Sequence, residues 1–189
     1  MENQLNNIKV AILVTDGFEQ AELLEPKTAL EAQGIGVDVI SDKSGVVQGF
    51  NHTDKGQAVK VDKTFSEARQ EDYAAVVLPG GVVNGDALRM VPAARDFVQE
   101  ADDEGKPIAA ICHGGWLLIS AGLAQGHTVT SWPSMQDDFI NAGSNWVDQE
   151  VVHDGNLISS RKPADLPAFN QELMSALRSR TFSAAERAM

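Results

Sequence analysis

The sequence contains a single cysteine, Cys112, among its 189 residues. A lone thiol cannot form an intramolecular disulfide bond, so we expect a fold without covalent cross-links. Free cysteines are usually buried and behave as small inert hydrophobic residues, whereas a thiol of lowered pKa is a nucleophile. Cys112 is therefore either a core residue or a reactive group, and its neighbours in the sequence must decide between the two.

Positive charge is also scarce. The chain has 15 Lys and Arg against 27 Asp and Glu, a formal net charge of -12. Such a chain is repelled by nucleic-acid phosphates and by anionic membrane surfaces, so we expect neither as a partner. No apolar run approaches the roughly 18–20 residues of a membrane-spanning helix, and the first residues lack a signal-peptide pattern. We therefore expect a soluble, cytoplasmic protein.

The chain does have a regular alternation of short apolar runs with helical patterns. The predicted strands are 9–15, 37–41, 58–62, 74–78, 107–111, 128–131, 147–152 and 156–159. The predicted helices are 19–33, 64–69, 92–104, 115–121, 133–142 and 166–178. Apolar strands alternating with helices predict an α/β fold with a doubly wound, mostly parallel sheet and helices on both faces. We expect one domain over 9–178, a disordered N-terminal tail over 1–8 and a flexible C-terminal tail over 179–189.

Three loops follow predicted strands and carry unusual residues, namely 16–22, 79–86 and 112–115. In an open α/β sheet, ligands bind at the carboxyl ends of the strands, where these loops lie. Gly80 and Gly81 would let the backbone approach a substrate closely, and their N–H groups could form an oxyanion hole. The same Pro-Gly-Gly triplet is also an ordinary turn signal. The spacings of phosphate-binding loops, GxxxxGK[ST] and GxGxxG, are absent.

Cys112 occupies the position of a nucleophile in a strand-to-helix elbow. Such a turn crowds the residues two before and two after the nucleophile, which are here Ala110 and Gly114. The following helix would direct its free N–H groups and positive dipole end at the sulfur, which predicts a lowered thiol pKa. The pattern therefore favours a reactive Cys112 over an inert core residue.

Two further residues could assist the thiol. His113 adjoins Cys112 and could serve as its base and acid, although adjacent side chains in a turn can diverge. Glu22 lies in the first turns of the first predicted helix, where a carboxylate interacts favourably with the helix dipole. Alternatively, Glu22 hydrogen-bonds the sulfur, and a protonated carboxyl would then hold a thiolate or stabilise an oxidised sulfinate.

The other histidines, His52, His127 and His153, are scattered along the chain. No pair of them has metal-ligand spacing with each other or with Cys112, so structural or surface roles are expected. We predict neither a metal nor another cofactor.

Several longer stretches together resemble the ThiJ/PfpI superfamily, and within it the PfpI-type intracellular proteases and their stress-protein relatives. The stretches are collinear and run from residue 9 to about residue 177. They are DGFEQAELLEP at 16–26, VVLPGG at 76–81, GKPIAAICHGGWLLISAG at 105–122, TSWPSMQDDFINAG at 130–143 and VDQEVVHDGNLISSRKPADLPAF at 147–169.

The resemblance implies a flavodoxin-like fold and a set of site residues. Cys112 would be the nucleophile, His113 its partner and Glu22 the glutamate that contacts the cysteine. Gly81, with the amide of His113, would line the oxyanion site. In PfpI-type proteins an acidic residue from a neighbouring subunit completes the triad, and Asp86 occupies the matching position here. A homodimer, or a hexamer built from dimers, is implied.

The chain departs from the family pattern in three places. Gly115 replaces a common Pro after the Cys-His-Gly turn, and Val82 replaces a basic or aromatic residue after Pro-Gly-Gly. Trp132 stands where Tyr is common and is expected to line the substrate pocket, so substrate preference is expected to differ.

Two classes of function follow. The first is a cysteine-nucleophile hydrolase with a role in stress response, acting on a peptide or, like deglycases and glyoxalases, on small reactive carbonyl compounds and their adducts. The second is a redox sensor or protective stress protein in which Cys112 is oxidised to a sulfinate that Glu22 holds, with little turnover.

Overall fold

The short apolar runs of the sequence form the strands of the fold. The computed structural model describes residues 5–187, and side chains as far as residue 180. In chain order the strands are β1 (Lys9–Leu13), β2 (Phe18–Glu19), β3 (Gly36–Ser41), β4 (Val46–Asn51), β5 (Asp54–Lys60), β6 (Lys63–Thr64), β7 (Ala75–Leu78), β8 (Ile108–Ile111), β9 (Thr128–Val129), β10 (Asn145–Trp146), β11 (Val151–Asp154) and β12 (Leu157–Ser160). The helices are α1 (Gln20–Glu31), α2 (Val82–Leu88), α3 (Pro92–Asp103), α4 (Gly115–Ser120), α5 (Gln136–Asn141) and α6 (Leu166–Arg187).

The central sheet has seven strands in the order β11-β12-β8-β7-β1-β3-β6. Every neighbouring pair is parallel except β11 with β12, which form an antiparallel hairpin. From β1 the chain first moves to β3 on one side and later to β7 and β8 on the other. The strand order therefore reverses beside β1, and the loops that follow β1 and β7 diverge there. This is the point at which open α/β sheets bind ligands.

The core lies on both faces of this sheet. Alternate residues of β1 point in opposite directions, so Val10 and Ile12 pack on one face, and Ala11 and Leu13 on the other. Helices α1 and α6 cover the first face, while α3 and α4 cover the second. Because both faces are buried, the strands are continuously apolar rather than alternating.

Two small sheets flank the central one. Strands β4 and β5 form an antiparallel hairpin, and β4 also pairs in parallel with the short strand β2 just before α1. This pairing brings the β4–β5 turn, with His52 at φ 57°, towards the start of α1. Strands β9 and β10 form a separate parallel pair.

The helix predicted over 64–69 is wrong. Lys63 and Thr64 instead extend the central sheet by pairing with the end of β3. The Thr64 N–H and hydroxyl both donate to the Glu67 carboxylate at 2.8 Å, and the chain then makes a single turn. Phe65, which follows directly, packs edge-on against Phe97 of α3.

Helix α2 was not predicted, since the sequence after Pro-Gly-Gly reads as a loop. Gly81 precedes the helix with φ 91°, a left-handed conformation that glycine adopts readily. Val82 and Asp86, four residues apart, lie on one exposed side of this helix, whereas the buried Asn84 faces inward.

The chain ends differ from the expected tails. Leu5 is 4% exposed and packs into the core, within the segment 1–8 that was expected to be disordered. Helix α6 continues past Arg178 to Arg187, so much of the expected tail 179–189 is helical. Residues 1–4 and 188–189 lie outside the described residues, and the single domain over 9–178 stays a prediction. Over residues 5–187, no helix is long and apolar enough to cross a membrane.

Candidate active site

Cys112 lies in a strained turn directly after β8. Its φ is 58°, one of two positive values among the non-glycine residues that the structure describes. A left-handed conformation of this kind costs roughly 1–3 kcal/mol and persists only where the surroundings enforce it. Residues Cys112–Gly114 form one turn of 3-10 helix, which leads straight into α4. The structure therefore has the strand-to-helix elbow that the sequence predicts.

Gly114 is the residue that lets this turn fit against the neighbouring strand. A Cβ atom on Gly114 would collide with the carbonyl oxygen of Leu78 and lie 2.8 Å from that of Pro79. Both are rigid backbone atoms at the end of β7. Ala110, the other small neighbour predicted from the elbow pattern, is 2% exposed within β8.

His113 contacts the thiol directly. Its Nδ1 lies 3.2 Å from the Cys112 sulfur, although the two side chains are adjacent in sequence. The imidazole also lies between two indole rings, with centroids 5.0 Å from Trp116 and 6.0 Å from Trp132. Burial lowers the pKa of His113, so the ring is neutral at pH 7 and can accept a proton.

Glu22 is fully buried on the first turn of α1, facing Cys112. Its Oε2 accepts a hydrogen bond of 2.7 Å from the Gly80 N–H, while Oε1 is buried without a hydrogen-bond partner among the described residues. Burial, and then the nearby charge of Glu19, raise the pKa of Glu22 to about 8, whereas the Gly80 N–H and the Cys112 side chain act in the opposite direction. The carboxyl is thus largely protonated at neutral pH and can donate a proton.

The thiol pKa differs from the sequence prediction. Burial, followed by the charge of Glu22, raises the pKa of Cys112, while the backbone N–H groups of Gly81 and His113 oppose the rise. The predicted lowering by the helix is outweighed because the sulfur sits in a residue only 7% exposed, beside a carboxyl. When Glu22 is protonated its charge no longer opposes ionisation, so a thiolate forms most easily beside the neutral carboxyl.

A pocket of about 280 Å³ opens over these groups. It is lined by Glu19, Glu22, His52, Thr53, Gly81, Val82, Cys112, His113, Trp132 and Pro163. Trp132 is 38% exposed and forms part of the rim. The loop at Gly81 can pack against the backbone of Phe18 and Glu19 because glycine has no Cβ. A Cβ on Gly81 would lie 2.8 Å from the Glu19 nitrogen and 2.9 Å from the Phe18 Cα.

The structure brings together all but one of the residues singled out from the sequence. Cys112, His113, Glu22 and Trp132 meet at the pocket, with Gly80 and Gly81 beside them. Asp86 is exposed on α2 and does not line the pocket of its own chain.

Sequence reasoning missed two features of the site. His52 was placed among the surface histidines, yet its N–H donates to Glu19 Oε2 at 3.0 Å on the pocket rim. Asn84 belongs to no motif in the sequence, and only its burial in the structure identifies it as a residue of interest near the site. His127 and His153 pair with Asp154 and Glu172 away from the pocket. In the part of the chain that the structure describes, no three His, Cys, Asp or Glu side chains form a metal-binding group.

Comparison with known proteins gives this geometry a context. The DJ-1/PfpI family model matches residues 8–176. A deglycase of Pyrococcus abyssi is 43% identical over 171 residues, which cover 90% of this chain and 100% of that protein. The deglycase PfpI of Pyrococcus furiosus is 41% identical over the same shares of both chains.

Solved structures agree. The chain resembles a two-domain protein from Anabaena variabilis that contains DJ-1/ThiJ/PfpI-like and ferritin-like domains, with a TM-score of 0.85, 36% identity, and coverage of 90% of this chain and 48% of that one. Schizosaccharomyces pombe DJ-1, at 22% identity and a TM-score of 0.80 over 94% and 98% of the chains, shows the fold alone. These matches confirm the flavodoxin-like α/β fold and the resemblance read from the motifs. The chain therefore belongs to the DJ-1/PfpI family.

Proposed function

We propose that this protein is a cysteine-dependent deglycase, which releases amines or thiols from their adducts with small reactive dicarbonyl compounds. One observation carries the proposal: the Cys112 thiol lies between a neutral base, His113, and a carboxyl that is protonated at neutral pH, Glu22. A thiol poised between a proton acceptor and a proton donor suits addition to a carbonyl followed by expulsion of a leaving group. The deglycase names of the relatives support the same activity.

The first step is addition of the Cys112 sulfur to the carbonyl carbon of the adduct. The thiol proton passes to His113 Nδ1 at 3.2 Å, a carbon–sulfur bond forms, and the electron pair of the carbonyl double bond moves to oxygen. The backbone N–H groups of Gly81 and His113, which favour the ionised form of the sulfur, would stabilise the resulting oxyanion.

Glu22 or the protonated His113 then gives its proton to the departing amine or thiol. Departure of the amine or thiol leaves an aldehyde beside the carbon that carries the Cys112 sulfur. Water adds to this aldehyde, and a hydride shifts from the hydrated carbon to its neighbour while the carbon–sulfur bond breaks, which frees the Cys112 thiolate and leaves a 2-hydroxy acid. The overall reaction is adduct plus water giving the free base and the 2-hydroxy acid, with one dicarbonyl carbon oxidised and its neighbour reduced. No external oxidant or reductant is consumed. Free dicarbonyl would be converted to the same acid in the same pocket.

The pocket size favours a small substrate over a peptide. Its volume of about 280 Å³ is at the low end for small-molecule sites. Trp132 stands at its rim, and Pro163 and Thr53 bound it on other sides. A polypeptide would need an extended groove to place a backbone carbonyl against Cys112. Removal of reactive carbonyl adducts would also account for a role in stress response.

The substrate is tested with the purified protein as it stands. N-acetylarginine and N-acetylcysteine are first treated with methylglyoxal, and release of the free base and formation of 2-hydroxy acid are then followed. We expect the protein to release both, and protein whose only cysteine has been blocked with iodoacetamide to release neither. Cleavage of fluorogenic peptides with untouched adducts would instead indicate a peptidase. Absence of every turnover, with a mass gain of a sulfinate after mild peroxide, would indicate the redox-sensor alternative.

We also propose that two copies of the chain share the site through α2. Asp86 lies on the exposed side of this helix, beside Val83, which is 64% exposed, and close to Met90, which is 73% exposed. Large apolar side chains this exposed on α2 and just after its end favour contact with a second copy, which would bring Asp86 to a neighbouring pocket. Val83→Glu is expected to convert a dimer or hexamer to monomers, and to lower turnover with it, as measured by sedimentation and assay. A wild-type monomer with full turnover would contradict the shared site.

A further inference from the structure

Asn84 takes no part in the proposed reaction, yet its side-chain amide is fully buried next to the site. It lies in the first turn of α2 at 0% exposure, and its side chain turns away from the pocket towards the backbone of two loops. We infer that Asn84 is a positioning residue, whose side-chain amide fixes the Pro79–Gly80 peptide against Glu22 and the Gly80–Gly81 peptide against Cys112.

Three hydrogen bonds support this inference. Asn84 Oδ1 accepts from the Thr15 N–H at 2.8 Å, in the loop after β1. Asn84 Nδ2 donates to the Pro79 oxygen at 2.9 Å and to the Gly80 oxygen at 3.0 Å, in the loop after β7. One side chain thus joins the two loops that diverge at the reversal of strand order.

The two peptide groups whose oxygens accept from Asn84, Pro79–Gly80 and Gly80–Gly81, are also held from the side of the site. The Gly80 N–H donates to Glu22 Oε2 at 2.7 Å, and the Gly80 oxygen also accepts from the Glu19 N–H at 3.2 Å. Gly80 is packed so closely that an added Cβ would lie 2.6 Å from the Cys112 Cβ and 2.9 Å from the His113 nitrogen. Rotation of the Pro79–Gly80 peptide would move the N–H that donates to Glu22. Rotation of the Gly80–Gly81 peptide would move the Gly81 N–H that supports the ionised sulfur.

The bonding pattern requires an amide. One acceptor and two donor hydrogens are used at once, and among short side chains asparagine alone supplies both. Aspartate would keep the acceptor for Thr15 but would place oxygen against two carbonyl oxygens. Alanine would leave buried backbone groups without partners.

Asn84→Ala and Asn84→Asp test the inference, with Asn156→Ala as the matched control. Asn156 likewise donates from Nδ2 to two acceptors, Asp102 Oδ1 at 2.9 Å and the Lys106 oxygen at 3.1 Å, but at the opposite end of β8. Two readouts are compared. The first is the rate of iodoacetamide alkylation as a function of pH, which reports Cys112 alone because the chain has a single cysteine. The second is kcat and KM for the methylglyoxal adduct of N-acetylcysteine.

We expect both Asn84 variants to shift the alkylation profile to higher pH, because the Gly81 N–H no longer supports the thiolate. We expect kcat to fall by about 10- to 100-fold with a smaller change in KM, and the control to keep both wild-type values. Folded Asn84 variants with the wild-type alkylation profile and kcat would overturn the inference, as would the same shift in Asn156→Ala. If Asn84→Ala does not fold, the inference is tested by the alkylation profile and kcat of Asn84→Asp, whose side chain has the same shape as asparagine. The kinetic readout depends on the proposed deglycase activity, but alkylation does not, so the two can fail separately.

Discussion

Replacing Cys112 with serine is expected to reduce turnover of dicarbonyl adducts by at least about 10³-fold, since loss of a catalytic nucleophile typically costs that much or more. Serine keeps the shape of the side chain, so the strained turn and the contact with His113 have no reason to change. Its hydroxyl, however, ionises far less readily than a thiol, and His113 alone is a weak base for it. The loss should therefore be seen in kcat, measured with saturating adduct, and not in folding.

A control for this prediction comes from the chain itself. Cys112 is the only thiol, so no other cysteine can supply residual activity in the variant. Circular dichroism and the thermal midpoint of Cys112→Ser should stay close to those of the wild-type protein. If a folded Cys112→Ser variant retained turnover within tenfold of wild type, the thiol would not be the nucleophile and the proposed mechanism would fall.

The sequence was most informative where a single geometric requirement dominates. The apolar runs at β1, β7 and β8 predicted buried parallel strands because both faces of such strands must be covered. The pair of small residues around Cys112 predicted the elbow because Gly114 has to pass the carbonyl of Leu78. These features depend on residues that are close together in the chain, so the residue pattern alone predicts them.

Prediction failed where contacts between distant segments decide the outcome. Burial of the sulfur beside Glu22 reverses the pKa direction that the helix start suggests, and burial cannot be read from the turn. His52 reaches the pocket rim only because the β4–β5 hairpin pairs with β2. The Asn84 side chain hydrogen-bonds three backbone groups in two loops, and no sequence motif indicates that these groups meet. Asp86 remains a prediction, since its role requires a second chain.

Glu22→Gln is expected to flatten the pH dependence of stability. Burial raises the pKa of Glu22 to about 8 from an ordinary value of 4.5. Below the lower value the carboxyl is protonated in the folded and the unfolded chain, and its contribution to stability is fully present. Between the two values the unfolded chain releases a proton that the folded protein keeps, so the free energy of unfolding falls as pH rises, by up to about 1.4 kcal/mol per pH unit. Glutamine has no proton to lose, so the variant lacks this slope.

Denaturant unfolding at pH 5, 6, 7 and 8 measures the difference in stability between wild type and variant, in which the titrating groups that do not interact with Glu22 cancel. We expect Glu22→Gln to gain stability relative to wild type across this range, by on the order of 2 kcal/mol or more at pH 8. Glu25→Gln, at an exposed position on the same helix, is the matched control and should run parallel to wild type. Parallel curves for Glu22→Gln as well would mean that the buried carboxyl is ionised at neutral pH. The proton donor required beside Cys112 would then be missing, because a carboxylate only accepts hydrogen bonds and would oppose formation of the thiolate.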